Sequence, residues 1–209
     1  MAFSNPERIY SIHNEDTFES LALELFRYQA KNTAIYCKYL RMLNVCPSEV
    51  DTIEDIPCLP IELFKTQNVL TQSNSKEKKF TSSGTTGEQS SHWVHAVEWY
   101  ERNYEACFDF FLPGCRDGRF FFLLPGYLER EGSSLIHMAQ GLNNRSIESG
   151  GFFLNDFEAL ETAIAKAIKE KIPFVILGVT FGLLDWAERT DTKLPEDTIV
   201  METGGMKGR

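Results

Sequence analysis

Two short runs constrain this chain more than any others: Phe120-Phe121-Phe122-Leu123-Leu124, closed by Pro125, and Phe174-Val175-Ile176-Leu177-Gly178-Val179, opened by Pro173. Neither alternates apolar with polar residues, and both have the length of a strand, so each reads as a strand buried on both faces. Such strands belong to a parallel sheet with helices packed against it.

The segments around them supply the helices. Residues 133–142 suit a helix with Ser133 as its N-cap, and residues 150–155 read as another short strand. A long amphipathic helix follows, with Asn155 and Glu158 as its capping pair. Phe157, Leu160, Ile164 and Ile168 form its stripe, and Lys166, Lys169 and Lys171 lie at its negative end. Residues 180–189 read as a helix and 197–205 as a last strand. The expected class is therefore α/β, a mostly parallel sheet with helices on both faces.

The first part of the chain reads differently. Residues 1–60 form a helical segment, and residues 61–209 the α/β part. Asp16 with Glu19 opens one helix, carrying Phe18, Leu21, Leu25 and Tyr28; a second carries Ile35, Tyr39, Leu40 and Leu43. Pro57 and Pro60 force an extended stretch before a short helix or turn. From His92, a helix places Trp93, Val97, Tyr100, Tyr104, Phe108 and Phe111 on one stripe, which reads as core.

With 209 residues, 43% of them hydrophobic, the chain can bury one substantial core, as one domain or one domain in two lobes. A net charge of −9 argues against the basic stripe of a nucleic-acid surface. The cluster Lys76, Lys78 and Lys79 reads as a solvated face. No signal peptide opens the chain, and no apolar run is long enough to span a bilayer. Five cysteines without a C-x-x-C pair disfavour a zinc site or a disulfide scaffold, so a reduced, cytoplasmic setting is expected. His13, His92, His95 and His137 lack metal-ligand spacing and read as structural or exposed.

The stretch with the most chemical promise is Ser82-Ser83-Gly84-Thr85-Thr86-Gly87. It is not a Walker A loop, since the glycines are too close and no Lys follows; no dinucleotide fingerprint or G-x-S-x-G elbow occurs. Between a short strand and the helix from His92, such a loop can wrap phosphates. Its glycines let the backbone approach, and its hydroxyls add donors without fixed charge.

This stretch resembles the phosphate-binding loop of the adenylate-forming superfamily, whose pattern is [ST]-S-G-[ST]-T-G-x-P-K; Gln89, Ser90 and Ser91 stand where Pro and Lys are usual. "LPIELFKTQNVL", "LPGYLEREGSSLIHMAQ" and "METGGMKGR" narrow the resemblance, over roughly residues 55–209, to the acyl-protein synthetases that activate fatty acids. The resemblance implies an acyl-adenylate made from a fatty acid and ATP with Mg2+, then acyl transfer to a protein thiol, with an acyl-accepting thiol or an acyl-reductase protein as partner. It puts Ser82 to Gly87 on the phosphates and Gly204, Gly205 and Met206 beside the adenine. Ser133, Ser134, Gly178, Thr180 and Phe181 become candidates for the acyl pocket, against plain N-capping for the two serines.

The family's metal-binding acid, ribose-gripping Asp, catalytic Lys and acyl-accepting Cys have no match here, so the chain is expected to be an N-terminal part. No nucleic-acid partner is expected, and a homodimer is allowed. Two alternatives stay open: a CoA ligase of the phenylacetate type, and a nucleotide-binding or scaffolding fragment without turnover.

Overall fold

The structure is a computed structural model that describes residues 6–71, 78–82, 89–115, 118–124, 132–146 and 150–204. It divides into two compact units, Met1–His95 and Ala96–Arg209.

In the first unit, helix α1 (Glu15–Asn32) is capped by Asn14, whose side chain accepts the Thr17 N–H at 2.9 Å. Asn14 and Thr17 form the capping box, two residues before the expected Asp16 start. Helix α2 (Ala34–Met42) follows after the break at Thr33. Leu23, Phe26 and Ala30 of α1 meet Tyr36 and Leu40 of α2 and Val50 in one small core. Of the expected stripe residues, Phe18 is instead 49% exposed, lying one turn from the helix start and beyond the reach of α2. The proline-punctuated stretch leads into a single-turn helix, α3 (Leu63–Thr66).

Strands β1 (Lys78–Thr81) and β2 (Ser91–Val94) then pair antiparallel, with Phe80 opposite His92. Residues 91–94 are thus a strand, and α4 (Val97–Phe111) begins five residues later than expected. Trp93 fits both the helical stripe and the alternation of a strand. Pairing with the Lys78–Thr81 segment decides for the strand, because an extended segment with a partner satisfies its backbone groups.

The second unit is a parallel sheet of order β4-β3-β5-β6, built from β3 (Arg119–Leu123), β4 (Gly151–Phe152), β5 (Phe174–Val179) and β6 (Ile199–Thr203). Helices α5 (Ser134–Arg145), α6 (Phe157–Glu170) and α7 (Thr180–Ala187) connect consecutive strands. Side chains alternate across the sheet, so one register serves two cores. Phe120, Phe122, Leu124, Val175, Leu177 and Val179 pack with Tyr104 of α4 and Ile136, Ala139 and Leu142 of α5. Phe121, Leu123, Phe174 and Ile176 pack with Leu160, Ile164 and Ala167 of α6 and Trp186 of α7. The expected parallel sheet with helices on both faces is therefore present, and residues 120–123 and 174–179 are strands. At the start of β3 the buried Arg119 guanidinium donates to Glu170 at the end of α6, at 2.7 Å. A buried cation is tolerated only with such a partner.

Candidate functional site

The connection from β3 runs through α5 toward β4, while the connection from β5 runs through α7 toward β6. Parallel crossovers keep one hand, so these opposite directions put α5 and α7 on opposite faces. Ligands of such sheets bind past the carboxyl strand ends where two connections diverge, here between β3 and β5. The described residues at the ends of β5 and β6 are therefore the candidate site.

Thr180 follows β5 directly, as the first residue of α7. Its hydroxyl oxygen lies 2.9 Å from the Gly204 carbonyl and is also hydrogen-bonded to the Glu202 carboxylate. The register of β5 and β6 makes this meeting possible: Gly178 lies opposite Glu202 and Val179 opposite Thr203, which brings the two strand ends level. Gly204 has φ of 89°, a left-handed turn that favours glycine. Two of the expected subsites, the Gly178–Phe181 segment and the Gly204 turn, thus meet at one hydroxyl. Glu202 belonged to neither expected subsite. Its signal in the sequence was weak: one acid near the end of a strand, with no spacing to a second.

Gly178 is buried within β5, and a Cβ there would come within 2.7 Å of Leu183 of α7. The glycine lets α7 pack closely on its own strand. Phe181 is half-buried and packs against the core shared with α5. Ser133 caps α5, its hydroxyl accepting the Ile136 N–H at 3.3 Å. Ser134 is exposed and gives its carbonyl to the Tyr100 hydroxyl at 3.0 Å. Burial pushes the Tyr100 phenol up, so it stays a neutral donor. Beside it, Glu101 of α4 meets His137 of α5 at 2.8 Å. At the carboxyl edge α7 starts after Val179 without a side-chain cap.

In chain order the hydroxyl-rich stretch joins β1 to β2, two antiparallel strands of the first unit, and does not lead into a helix. Ser82 N–H donates to the Ser90 carbonyl at 3.0 Å, and Ser90 N–H donates to the Ser82 hydroxyl at 3.0 Å. Ser82 therefore closes the neck of the loop. Ser83, Gly84, Thr85, Thr86 and Gly87 lie outside the described residues, as do Gly205 and Met206. The lysines at the base of the hairpin cover aromatic rings, Lys78 over Phe80 at 5.9 Å and Lys79 over Trp93 at 5.8 Å.

Glu202, Thr180 and the Gly204 carbonyl are oxygen donors, the type that Mg2+ takes. One carboxylate is too few for a resident ion, and among the described residues no group of three His, Cys, Asp or Glu side chains could hold a metal. No described helix is long and apolar enough to cross a membrane.

Residues 3–103 match a family model described as acyl-protein synthetase, LuxE. The matched segment takes in α1, α2 and the whole hairpin with its loop, so the likeness begins well before residue 55. Over 73 residues the chain is also 37% identical to the long-chain-fatty-acid–luciferin-component ligase of Photorhabdus luminescens. That alignment covers 34% of this chain and 62% of the relative, so the chain spans about three-fifths of the relative's length.

Proposed function

We propose that this chain is the N-terminal part of an acyl-protein synthetase, a cytoplasmic ligase that activates a fatty acid with ATP and passes the acyl group to a protein thiol. The match of residues 3–103 to that family carries the reading. The ligase named for the similar Photorhabdus protein supports a fatty acid as substrate.

In this reading a carboxylate oxygen attacks the α-phosphorus of ATP. The bond to pyrophosphate breaks, leaving an acyl-adenylate. A thiolate then attacks the acyl carbon and AMP departs. Backbone N–H groups and hydroxyls of residues 82–87 hold the β- and γ-phosphates as charge moves onto pyrophosphate. Mg2+ arriving with the nucleotide neutralises part of that charge. Gly204, Gly205 and Met206 flank the adenine, and Thr180 holds the Gly204 carbonyl. Ser133, Ser134, Gly178 and Phe181 border the acid, with Ser133 acting through the helix end it caps.

Carboxylate-dependent exchange of labelled pyrophosphate into ATP tests this in the full-length enzyme. Gly84→Val or Gly87→Val should abolish exchange while unfolding stays cooperative. Thr85→Ala should cost about 1–3 kcal/mol of transition-state stabilisation, the range for one hydrogen bond to a charged group. Undiminished exchange in the glycine variants refutes the loop's role. Acyl label recovered on CoA instead of protein would favour the CoA-ligase reading. The 209-residue chain alone is expected to bind ATP only weakly, in roughly the millimolar range.

A further inference from the structure

The first unit contains a cavity of about 390 Å3, within the usual size range of ligand pockets. Ile56, Leu59, Phe64, Val69 and Leu70 line it with apolar side chains. Three ties from separate segments hold it open. The Tyr36 hydroxyl donates to the Pro57 carbonyl at 2.7 Å. Phe64 stacks on His92, with ring centroids 5.5 Å apart and planes at 28°. Thr33 bridges to Thr71 across the junction of α1 and α2. All six of these residues line the cavity, so it is a built feature and not a gap between mobile parts.

The lining selects its occupant by charge. In a chain with 24% charged residues, no Lys, Arg, Asp or Glu lines this cavity among the described residues. A charged guest would give up hydration with no opposite charge among these described lining residues to offset it, whereas an apolar guest gains from burial. Tyr36 has committed its proton to Pro57, so its oxygen offers a lone pair to a guest that donates.

We propose that this cavity binds an uncharged aliphatic molecule bearing one hydrogen-bond-donating end, such as a medium-chain alcohol. The inference stands apart from the ligase reading, since it concerns neither the hairpin loop nor the strand-end site and needs no ATP. Cys58 lines the cavity and is exposed, so its labelling rate serves as the reporter of a seated guest. Cys46 and Cys107 are exposed elsewhere and serve as controls.

The test is the rate of N-ethylmaleimide labelling at each cysteine of the 209-residue chain, mapped by mass, with octanol or octanoate present. With octanol at roughly ten times its Kd, labelling of Cys58 should slow about tenfold, by simple occupancy. Cys46 and Cys107 should label unchanged. Octanoate should protect at least about tenfold more weakly, because its carboxylate meets no cation. Leu59→Trp fills the cavity and should abolish protection; if that variant fails to fold by circular dichroism, Val69→Phe carries the same test. Equal labelling of Cys58 with and without octanol overturns the proposal, and equal protection by octanoate overturns the uncharged class. Self-association that these variants abolish assigns the cavity to a second copy and overturns it too.

Discussion

Gly178, proposed to border the acid, is also a residue on which packing depends. A Cβ at this position meets Leu183 at 2.7 Å and Leu123 at 3.1 Å. Gly178→Ala should therefore lower stability by about 1–3 kcal/mol, the cost of overpacking a tight core. Adding Leu183→Ala should recover part of it, because the clash is with that side chain. Denaturant midpoints measure both; an unchanged midpoint for the single variant contradicts the packing argument. Tyr36 makes a second prediction. Burial, and then Cys58 and Tyr39, push its phenol from the ordinary 10.0 up to about 12. Between these values the unfolded chain loses the proton and the folded chain keeps it. The stabilising difference is thus whole below about pH 10 and is lost as pH rises toward 12. Tyr104, raised to about 12 by burial and by Glu101 and Glu105, adds a slope of the same sign. Unfolding midpoints across this window should fall with pH, and Tyr36→Phe should flatten the fall.

Helix boundaries depend on where the chain enters each helix, and sequence names several candidates for each cap. For α6 the cap is Asp156, whose side chain accepts the Ala159 N–H at 3.0 Å; of the expected pair, Asn155 lies one residue before it and Glu158 two after. For α1 the shift is from Asp16 back to Asn14. Asn14→Ala should cost about 1 kcal/mol of stability, the usual worth of a cap. The other end of α6 is less well served. Lys171 closes it in the left-handed conformation, at φ 56° and ψ 35°, where an L side chain crowds its own backbone. Lys171→Gly should stabilise the chain by roughly 0.5–1 kcal/mol, since relief of that crowding outweighs the added freedom of the unfolded glycine. A thermal midpoint that falls in this variant contradicts the account.

At the scale of the whole molecule, protection should be uneven. Strands β3 and β5 are buried on both faces and central in a four-stranded sheet. The β1–β2 hairpin is a two-stranded sheet, a form that is marginal without further cover. In hydrogen exchange the amides of β5 should open only with global unfolding, while those of β1 and β2 exchange far sooner. Hairpin amides as protected as those of β5 would show that the first unit is held by more than its small helical core. The unevenness suits the proposed roles, because a loop that closes on phosphate belongs on a hairpin that opens readily, and the strand-end site on a rigid sheet.

The sheet was legible from residue order alone. A run such as Phe120 to Leu124 without a polar position can be stable only where both faces are covered, and the helices between such runs dictate a parallel arrangement. The helical start and the Ser133 cap were legible for the same reason, since both rest on local spacing. The hairpin was not. Ser91 to Val94 fits a strand and a helix equally, and only its pairing with Lys78 to Thr81 decides between them. Nor was the meeting of Thr180 with Glu202 and Gly204, which are 22 and 24 residues away. Local sequence sets which backbone shapes a segment can take and which face it must bury. Register between distant strands decides which polar groups then share a point in space, and that is a property of the packed sheet alone.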